Sequence, residues 1–408
     1  MHNKIIPAVI GLGYVGLPFF LKIQKKYESV GYDINKKRIN QLKKNKKDIN
    51  SEFKKTDLKL LNKSQFTSDE SLLRKCNFFI VAVPTPIKKN KTPDLEPMRK
   101  ACKIISKHIK KDDVVFFEST VYPGATKKLA FQYFNKNNFK INKDFWLGYS
   151  PERINPGDQK HTINKINKIV GFENCPSSIK TKIVSIYKLV SKKIIRTNSL
   201  EHAEMSKVIE NIQRDINIAF MNEIFMVCDK LKLDFFEVIR LAKSKWNFLN
   251  FSPGLVGGHC LPVDPYYLYH LSKLKGHNAN FMLAGRNVNN QLQTFIERSI
   301  IKKIIKQKAK KILICGITYK ANVPDIRNSL SLNIYLNIKK RKNLIVDAYD
   351  PIVDKIIQKK YNIKNAVKNL FNYDLIIVLV KHKRYLEILR KHKKKIPIKY
   401  MDMFKYIS

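Results

Sequence analysis

The sequence predicts an α/β protein with two doubly wound parallel sheets joined by a long central helix, and three observations support this prediction. Short apolar runs alternate with helical patterns before residue 198 and again after residue 308. A glycine-rich turn at residues 11–16 follows the first apolar run. Residues 201–231 keep a helical period without glycine or proline, as expected for a helix that connects domains.

The first element is a short buried strand over residues 4–10. It runs into a G-x-G-x-x-G turn and an apolar helical pattern, which together form the fingerprint of a dinucleotide site; its glycines are Gly11, Gly13 and Gly16. A second strand, residues 29–32, ends at Asp33, close to the spacing expected for the acid that binds ribose hydroxyls. Because an acid repels a 2′-phosphate, the turn favours NAD over NADP.

Further strands over residues 78–83 and 114–118 each end in a loop that contains proline, where an open parallel sheet places its ligands. The first loop carries Thr85 and the second carries Thr120. Prolines and glycines also simply terminate strands, so a structural role remains open for each loop. A third loop follows the run WLGY, and its Glu152 is a candidate acid or base.

The long central helix is expected to start with a capping box formed by Asn198 and Glu201. Lys207 and Asn211 lie four residues apart on it and therefore share a face. In a lysine-rich chain this face could equally be a solvated stripe.

Residues 251–268 contain several glycines and reactive side chains that a stable core does not need. Gly257 and Gly258 permit close backbone approach or positive φ and deliver Cys260 at the end of a turn. This thiol is either a buried inert cysteine or a nucleophile. Asp264 precedes a proline, as the N-cap of a helix does, so it is either only a cap or part of the site.

A second strand-rich unit opens at residues 311–315, after a helix that runs to about residue 308. It carries one glycine, Gly316, where the first unit carries three, so it is not an obvious second NAD site. The Lys320 and Arg327 side chains that follow the strand suit a pyrophosphate better.

Composition narrows the class of protein. The chain has 408 residues and is 44% hydrophobic, which predicts a globular protein of two or three domains. Its six scattered cysteines show no metal-ligand spacing, which favours a reduced, cytoplasmic protein without a metal. No run of apolar residues is long enough to anchor it in a membrane.

The formal net charge of the chain is +46 and comes mostly from dispersed lysines, which we interpret as residues of solvated faces. Basic runs at residues 43–47 and 391–395 leave weak polyanion binding open.

Seven sequence blocks occur in an order that is specific to one family. They are GLGYVGLP, VPTP, ESTVYPG, SPERINPGD, the AExxKxxxN pattern of residues 203–211, GGHC with Asp264, and GITYKANVPDIRNS. Across residues 11–350 the chain thus resembles the UDP-glucose/GDP-mannose dehydrogenase family. The resemblance implies a Rossmann-like NAD-binding domain (residues 1–197), a central helical dimerisation domain (198–308) and a Rossmann-like UDP-sugar domain (309–408). It also implies a homodimer with the active site between domains and no specific nucleic-acid partner.

The resemblance further implies an oxidation of the C6 hydroxymethyl of a nucleotide sugar with two NAD in succession. Cys260 would form a thiohemiacetal and then a thioester, with Lys207 and Asn211 stabilising the oxyanion. Thr120 and Asp264 would hold the water, and Glu152 would act as acid or base. Cofactor binding is expected at Gly11, Gly13, Tyr14, Val15, Gly16, Asp33, Arg38, Thr85 and Thr120. Substrate binding is expected at Glu152, Arg153, Lys207, Asn211, Gly257, Lys320 and Arg327.

Departures within the motifs bear on the substrate. Val263 and His259 stand where relatives that act on UDP-glucose or GDP-mannose usually carry other residues, and an arginine common upstream in UDP-glucose enzymes is absent from residues 243–245. The pattern resembles the branch that oxidises UDP-N-acetylhexosamines for surface polysaccharides. Pro262 leaves UDP-GlcNAc and UDP-GalNAc both open, with UDP-ManNAc and UDP-glucose as alternatives. Two alternatives from other functional classes remain open: an inactive homologue that binds a nucleotide sugar, and a polyanion-binding protein.

Overall fold

The computed structural model of the chain describes residues 4–44, 65–135, 139–153, 165–366, 370–393 and 399–405. The chain divides into two compact units. The first unit comprises Met1–Glu210 and Tyr266–His277, and the second comprises Asn211–Pro265 and Asn278–Ser408. Each unit contains one sheet, which confirms the predicted α/β class. The predicted division into three domains remains a prediction.

The sheet of the first unit has eight strands within the described residues, in the order β3-β2-β1-β4-β5-β6-β7-β8. All neighbours pair in parallel except β6 and β7, which run antiparallel. The strands are β1 (Pro7–Ile10), β2 (Val30–Tyr32), β3 (Phe66–Thr67), β4 (Phe78–Val81), β5 (Val114–Phe117), β6 (Trp146–Tyr149), β7 (Lys168–Phe172) and β8 (Ile194–Thr197).

Strand β1 is shorter than predicted because its first residues are engaged elsewhere. The backbone N–H of Ile6 donates to the Asn77 side chain at 2.9 Å instead of to a neighbouring strand.

The helices of this unit pack an aromatic core against the sheet, in which the Tyr187 ring lies 4.9 Å from Phe116 and 5.7 Å from Phe19. They are α1 (Gly16–Ile23), α2 (Lys36–Lys43), α3 (Glu96–Ile105), α4 (Ala125–Phe134) and α5 (Ser177–Val190).

The long central helix, α6, spans Leu200–Leu231 and confirms the predicted glycine-free helix. Its predicted cap was wrong by one residue. The Ser199 hydroxyl, and not the Asn198 side chain, accepts the N–H of His202, at 3.1 Å. Because the helix begins at Leu200, Ser199 is the residue whose side chain can reach the third N–H of the first turn. The division between the two units falls within this helix, after Glu210.

The sheet of the second unit has five described strands, all parallel, in the order β11-β10-β9-β12-β13. They are β9 (Lys311–Cys315), β10 (Ile345–Tyr349), β11 (Ile363–Lys364), β12 (Leu375–Val378) and β13 (Lys399–Met401). The remaining helices are α7 (Phe235–Ala242), α8 (Asp264–Leu274), α9 (Asn280–Gln307), α10 (Leu330–Lys339), α11 (Lys355–Tyr361) and α12 (Lys383–Lys393). One apolar core in this unit joins α6, α7 and α9 to the sheet.

In the described part of the chain, no helix combines the length and the apolar character needed to cross a membrane. The two basic runs lie partly outside the described residues, as do residues 154–158 of the SPERINPGD block.

Candidate functional site

The glycine turn after β1 has the shape that its sequence predicts. Gly11 has φ +93°, and a Cβ there would lie 2.7 Å from the Ala82 carbonyl oxygen. A Cβ on Gly16 would lie 1.9 Å from the Gly11 carbonyl oxygen, so only glycine lets α1 begin this close to the turn. At Gly13 a Cβ would meet no atom within 4 Å. Gly11 and Gly16 therefore let the backbone of the turn pack closely, whereas the space beside Gly13 is open. The approach of a pyrophosphate to a helix N-terminus requires both features.

Asp33 directly follows β2 and is half-buried. Its two carboxylate oxygens accept the backbone N–H groups of Leu12, at 2.8 Å, and Asn35, at 2.9 Å. Arg38 on α2 donates from Nε to the Leu12 carbonyl at 3.0 Å, so both side chains brace the glycine turn. The predicted Tyr14 and Val15 lie in the turn itself, half-buried.

The loops after β4 and β5 are tied together. The Ser119 hydroxyl donates to the Val83 carbonyl at 2.7 Å. Thr120 is the next residue and is half-buried. In the other loop the Thr85 carbonyl accepts the hydroxyl of the fully buried Tyr267, at 2.7 Å. The predicted cofactor residues Thr85 and Thr120 therefore lie on loops that are fixed to each other and to α8.

Glu204 is a buried acid whose role the sequence did not indicate. It projects from α6, and its carboxylate accepts the N–H groups of Gly124, at 2.6 Å, and Thr126, at 3.1 Å, where α4 begins. Burial outweighs these hydrogen bonds and raises the pKa of Glu204 to about 7. The contact fixes the loop that carries Thr120 to the helix that carries Lys207.

Glu152 follows β6 in a buried charged cluster. Lys168, the first residue of β7, places its ammonium 3.6 Å from the Glu152 carboxylate and 2.5 Å from the Glu118 carboxylate. The neighbouring Arg153 donates to the Asn167 carbonyl at 3.0 Å and pairs with Glu210 at 2.7 Å. The sequence indicated Glu152 and Arg153 but neither Glu118 nor Lys168.

Lys207 and Asn211 are buried, with 8% and 3% of their surface exposed, so the interpretation of this helix face as a solvated stripe is wrong. Among the described residues, the structure gives no hydrogen bond or ion pair to the Lys207 ammonium. Burying a cation without a hydrogen-bond or ion-pair partner costs free energy, and such groups are typical of functional sites. Asn211 donates from Nδ2 to the Asp264 carboxylate at 2.5 Å. Asp264 is 2% exposed and begins α8, so it is more than a surface cap.

The two glycines before the cysteine allow a close backbone contact. Gly258 has φ +90°, and a Cβ there would lie 2.8 Å from the Tyr319 ring. A Cβ on Gly257 would lie 2.5 Å from the Asn328 carbonyl oxygen. The Asn328 side chain donates to the Gly258 carbonyl at 2.9 Å. Any side chain at the two glycines would therefore push the cysteine turn away from residues 319–328.

Cys260 differs from most cysteines of the chain, all six of which are free thiols. Cys76, Cys102, Cys228 and Cys315 are buried, and burial raises the pKa of the Cys76 thiol to about 12. Cys260 is partly exposed, and its carbonyl accepts the N–H of Asp264 at 2.9 Å at the start of α8. Together with Cys175 it is thus one of the two cysteines that solvent can reach, and a nucleophilic thiol needs such access.

The loop after β9 carries the predicted cations. Arg327 is paired with Asp325, at 2.6 Å, and remains 58% exposed, and Lys320 is half-buried. The hydrogen bond to Asp325 raises the pKa of Arg327, and the nearby Cys260 adds to this rise. Burial and then the charge of Arg327 lower the pKa of His259, so this imidazole is neutral at neutral pH.

A buried polar chain behind the cysteine turn also escaped the sequence analysis. Asn222 on α6 binds the N–H of Gly254, at 2.8 Å, and donates to Asn289 on α9, at 2.7 Å. Asn289 in turn donates to Asp215, at 2.8 Å, and Asp215 pairs with the buried Arg286. Polar residues seven apart on α6 and three apart on α9 were the available signal, because such spacings keep them on one helix face.

Three successive segments of the chain match one protein family. Residues 5–191 match the UDP-glucose/GDP-mannose dehydrogenase family, NAD binding domain. Residues 201–291 match the central domain of that family, and residues 313–404 match its UDP binding domain.

Individual relatives agree with this match. A UDP-N-acetyl-D-glucosamine 6-dehydrogenase of Salmonella typhi is 41% identical over 395 residues, which cover 95% of this chain and 92% of the relative. A protein of the same name from Pseudomonas aeruginosa is 39% identical over 386 residues, which cover 93% and 90%. Among solved structures, a UDP-D-ManNAc dehydrogenase from Pyrococcus horikoshii superposes with a TM-score of 0.84 at 26% identity, covering 99% of this chain and 96% of that one.

Proposed function

The chain belongs to the UDP-glucose/GDP-mannose dehydrogenase family and is an NAD-dependent nucleotide-sugar 6-dehydrogenase, and we propose that its substrate is UDP-N-acetyl-D-glucosamine. The product is the corresponding uronic acid, a building unit of surface polysaccharides. Two relatives near 40% identity over most of both chains carry this substrate in their names, which favours it over UDP-GalNAc, UDP-ManNAc and UDP-glucose. The UDP binding domain matched at residues 313–404 supports a UDP-sugar.

The residues after β1 and β2 fit NAD. The open space at Gly13 admits the pyrophosphate, and Asp33 supplies the acid for the ribose hydroxyls. Tyr14, Val15 and Arg38 belong to the same turn or brace it, and Thr85 and Thr120 come from the next loops along the sheet. NAD, when bound, accepts a hydride from the sugar carbon in each of the two oxidations.

Cys260 is the proposed nucleophile, and its partly exposed position at the end of the glycine turn is the observation that carries the proposal. Its thiolate adds to the C6 aldehyde that the first oxidation produces, which gives a thiohemiacetal. Loss of hydride from this carbon leaves a thioester. Water then attacks the thioester, the thiolate leaves, and the carboxylate and two protons are released.

The other predicted residues have proposed roles around this covalent intermediate. Lys207, buried and positively charged, stabilises the oxyanion with help from Asn211. Asp264, fixed by the Asn211 amide, and Thr120 hold the hydrolytic water. Glu152 is the acid or base that moves the proton.

We assign Lys320 and Arg327 to the UDP pyrophosphate, with Arg153 and Gly257 as further substrate contacts. The exposed guanidinium of Arg327 supports this role because Arg binds phosphate oxygens in a bidentate manner. A homodimer and the division into NAD-binding, central and UDP-sugar domains belong to the same proposal.

The test is the formation of NADH with UDP-GlcNAc, UDP-GalNAc, UDP-ManNAc, UDP-glucose and GDP-mannose by wild type, Cys260→Ala and Cys175→Ala. Cys175 is the matched control because it is also a free, partly exposed thiol. We expect two NADH per UDP-GlcNAc for wild type and Cys175→Ala, and loss of uronic acid formation in Cys260→Ala. Turnover confined to another sugar would correct the substrate, and full activity of Cys260→Ala would refute the nucleophile.

A further inference from the structure

The charged cluster around Glu152 depends on the one antiparallel pairing of the first sheet. β6 pairs with β7 so that Gly148 faces Phe172 and Tyr149 faces Gly171. Continued beyond the strand ends, this register sets residue 152 opposite residue 168. Because β7 is reversed, its first residue lies at the edge where β5 and β6 end. Lys168 is thereby delivered to the loops that carry Glu118 and Glu152.

Two hydrogen bonds and one ion pair surround the Lys168 ammonium. It donates to the Glu118 carboxylate at 2.5 Å and to the Pro151 carbonyl at 3.0 Å. The Glu152 carboxylate lies 3.6 Å from the same nitrogen, an ion-pair distance that is too long for a direct hydrogen bond. Lys168 therefore holds the backbone beside Glu152 and also places a positive charge next to its carboxylate.

Other groups complete the cluster. Tyr187 on α5 donates to the second oxygen of Glu118 at 2.8 Å, and the Phe19 ring lies 5.8 Å from the Lys168 ammonium. Arg153, the next residue in the chain, donates its backbone N–H to the other oxygen of Glu152 at 2.7 Å, while its guanidinium binds Asn167 and Glu210.

The charge of the cluster is set by burial and by its two carboxylates. The Lys168 and Glu118 side chains are 4% and 0% exposed. Burial lowers the pKa of Lys168, but Glu118 and Glu152 outweigh burial and raise it, so the lysine stays protonated. Burial outweighs the opposing charge of Lys168 and raises the pKa of Glu118 to about 7. The charged Lys168 thus lies between two carboxyl groups and attracts both of them.

We propose that Lys168 is a positioning residue for the reaction: paired with Glu118, it fixes the backbone beside Glu152 and holds the Glu152 carboxylate in place. This role rests on the proposed oxidation, in which Glu152 moves the proton around the covalent intermediate. Lys168 touches no substrate; it acts through Glu152, while Glu118 acts by holding Lys168.

The test compares wild type with Lys168→Met, Glu118→Gln and the double variant Glu118→Gln/Lys168→Met. Lys127→Met is the control, because Lys127 pairs with Glu173 and Glu201 in the same unit but at a partly exposed position. The measurements are kcat and KM for UDP-GlcNAc and NAD, together with the melting temperature. If Lys168→Met does not fold, the double variant, which removes both buried charges of the pair, carries the test.

We expect Lys168→Met and the double variant to lower kcat at least tenfold, with KM for NAD within about twofold of wild type. The loss should appear in kcat and not in cofactor binding, because Lys168 acts on the position of Glu152 and not on the NAD site. Glu118→Gln should show a smaller loss of kcat, and Lys127→Met should show none. A double variant with wild-type kcat, or one whose KM for NAD rises as much as its kcat falls, would overturn the positioning role and leave Lys168 purely structural. A wild type that forms no NADH with any of the sugars would instead overturn the proposed oxidation itself, and the positioning role with it.

Discussion

The two sheets repeat one arrangement with different chemistry. In each, a glycine with positive φ follows the first strand and donates to the end of the second, Gly11 to Tyr32 at 2.8 Å and Gly316 to Tyr349 at 2.9 Å. In each, an acid after the second strand accepts the N–H of the residue that follows this glycine. The backbone frame of a nucleotide-binding turn is therefore present twice.

The difference lies in what surrounds the acid. Asp33 is half-buried beside the open space at Gly13, whereas Asp350 is fully buried and its carboxylate lies 3.1 Å from His382 Nε2. His382 accepts the N–H of Asn322 on Nδ1 at 2.9 Å, so its Nε2 carries the proton that faces Asp350. The acid that we propose binds a ribose in the first sheet has a counterpart in the second, Asp350, which helps to hold the loop that carries Lys320. A repeated fold thus does not imply a repeated ligand.

The strongest way to break this comparison is His382→Ala. The change leaves two groups without their ring partner, the fully buried carboxylate of Asp350 and the N–H of Asn322. Each buried polar group that loses its hydrogen-bond partner typically costs about 1–3 kcal/mol. We expect a loss of this size in the free energy of unfolding, measured in urea, with KM for NAD unchanged. His277→Ala, at an exposed position, should change stability by less than about 0.5 kcal/mol. Equal losses in the two variants would show that Asp350 does not depend on His382.

A buried acid of the first unit, Glu204, should make the stability of the protein depend on pH. Glu204 is bound by backbone N–H groups rather than by a histidine, and its pKa is raised from 4.5 to about 7. A raised pKa means that the folded state binds the proton more tightly. This contribution to stability is complete below pH 4.5 and is lost as pH rises through about 7, by up to about 3 kcal/mol.

The measurement is the free energy of unfolding of wild type and Glu204→Gln at pH 5 and pH 8. Glutamine resembles the neutral acid and does not titrate, so the stability of wild type relative to the variant should fall between these two pH values. A constant difference would contradict the raised pKa.

The smallest expected effect concerns the acid of the first sheet. Asp33→Asn should raise KM for NAD about tenfold, equivalent to about 1.4 kcal/mol, and should narrow the preference for NAD over NADP because the charge that repels a 2′-phosphate is removed. Initial rates with NAD and with NADP measure both the change in KM and the change in cofactor preference. Asp350→Asn is the matched control and should leave KM for NAD within about twofold. A similar rise in both variants would mean that the two acids do not differ in role.

The elements that the sequence predicted well are those that local pattern determines. The apolar run at Lys311–Cys315 became β9 as predicted, and Gly257 and Gly258 have the close approach and the positive φ expected of them. The reversal of β7 could not be predicted, because the pattern of a strand defines its faces but not its direction.

The residues missed at the candidate site share one cause. Glu118, Lys168, Glu204 and His382 are polar side chains whose burial depends on contacts between distant segments. In a chain with 79 lysine and arginine residues, nothing local separates a buried lysine from the many solvated ones. Cys260 and Lys207 were found because the family resemblance assigns roles to them. Glu118 and Glu204 lie in the quoted blocks ESTVYPG and AExxKxxxN, but no role was assigned to either acid.

The reversed β7 has a consequence for the tolerance of this protein to mutation. Lys168 lies outside the seven sequence blocks quoted above, at the start of a short strand. A variant with asparagine or isoleucine there would keep all seven blocks in a chain rich in these residues. We expect such a variant to lose at least tenfold in kcat, so these blocks alone would not separate fully active copies of this gene from impaired ones.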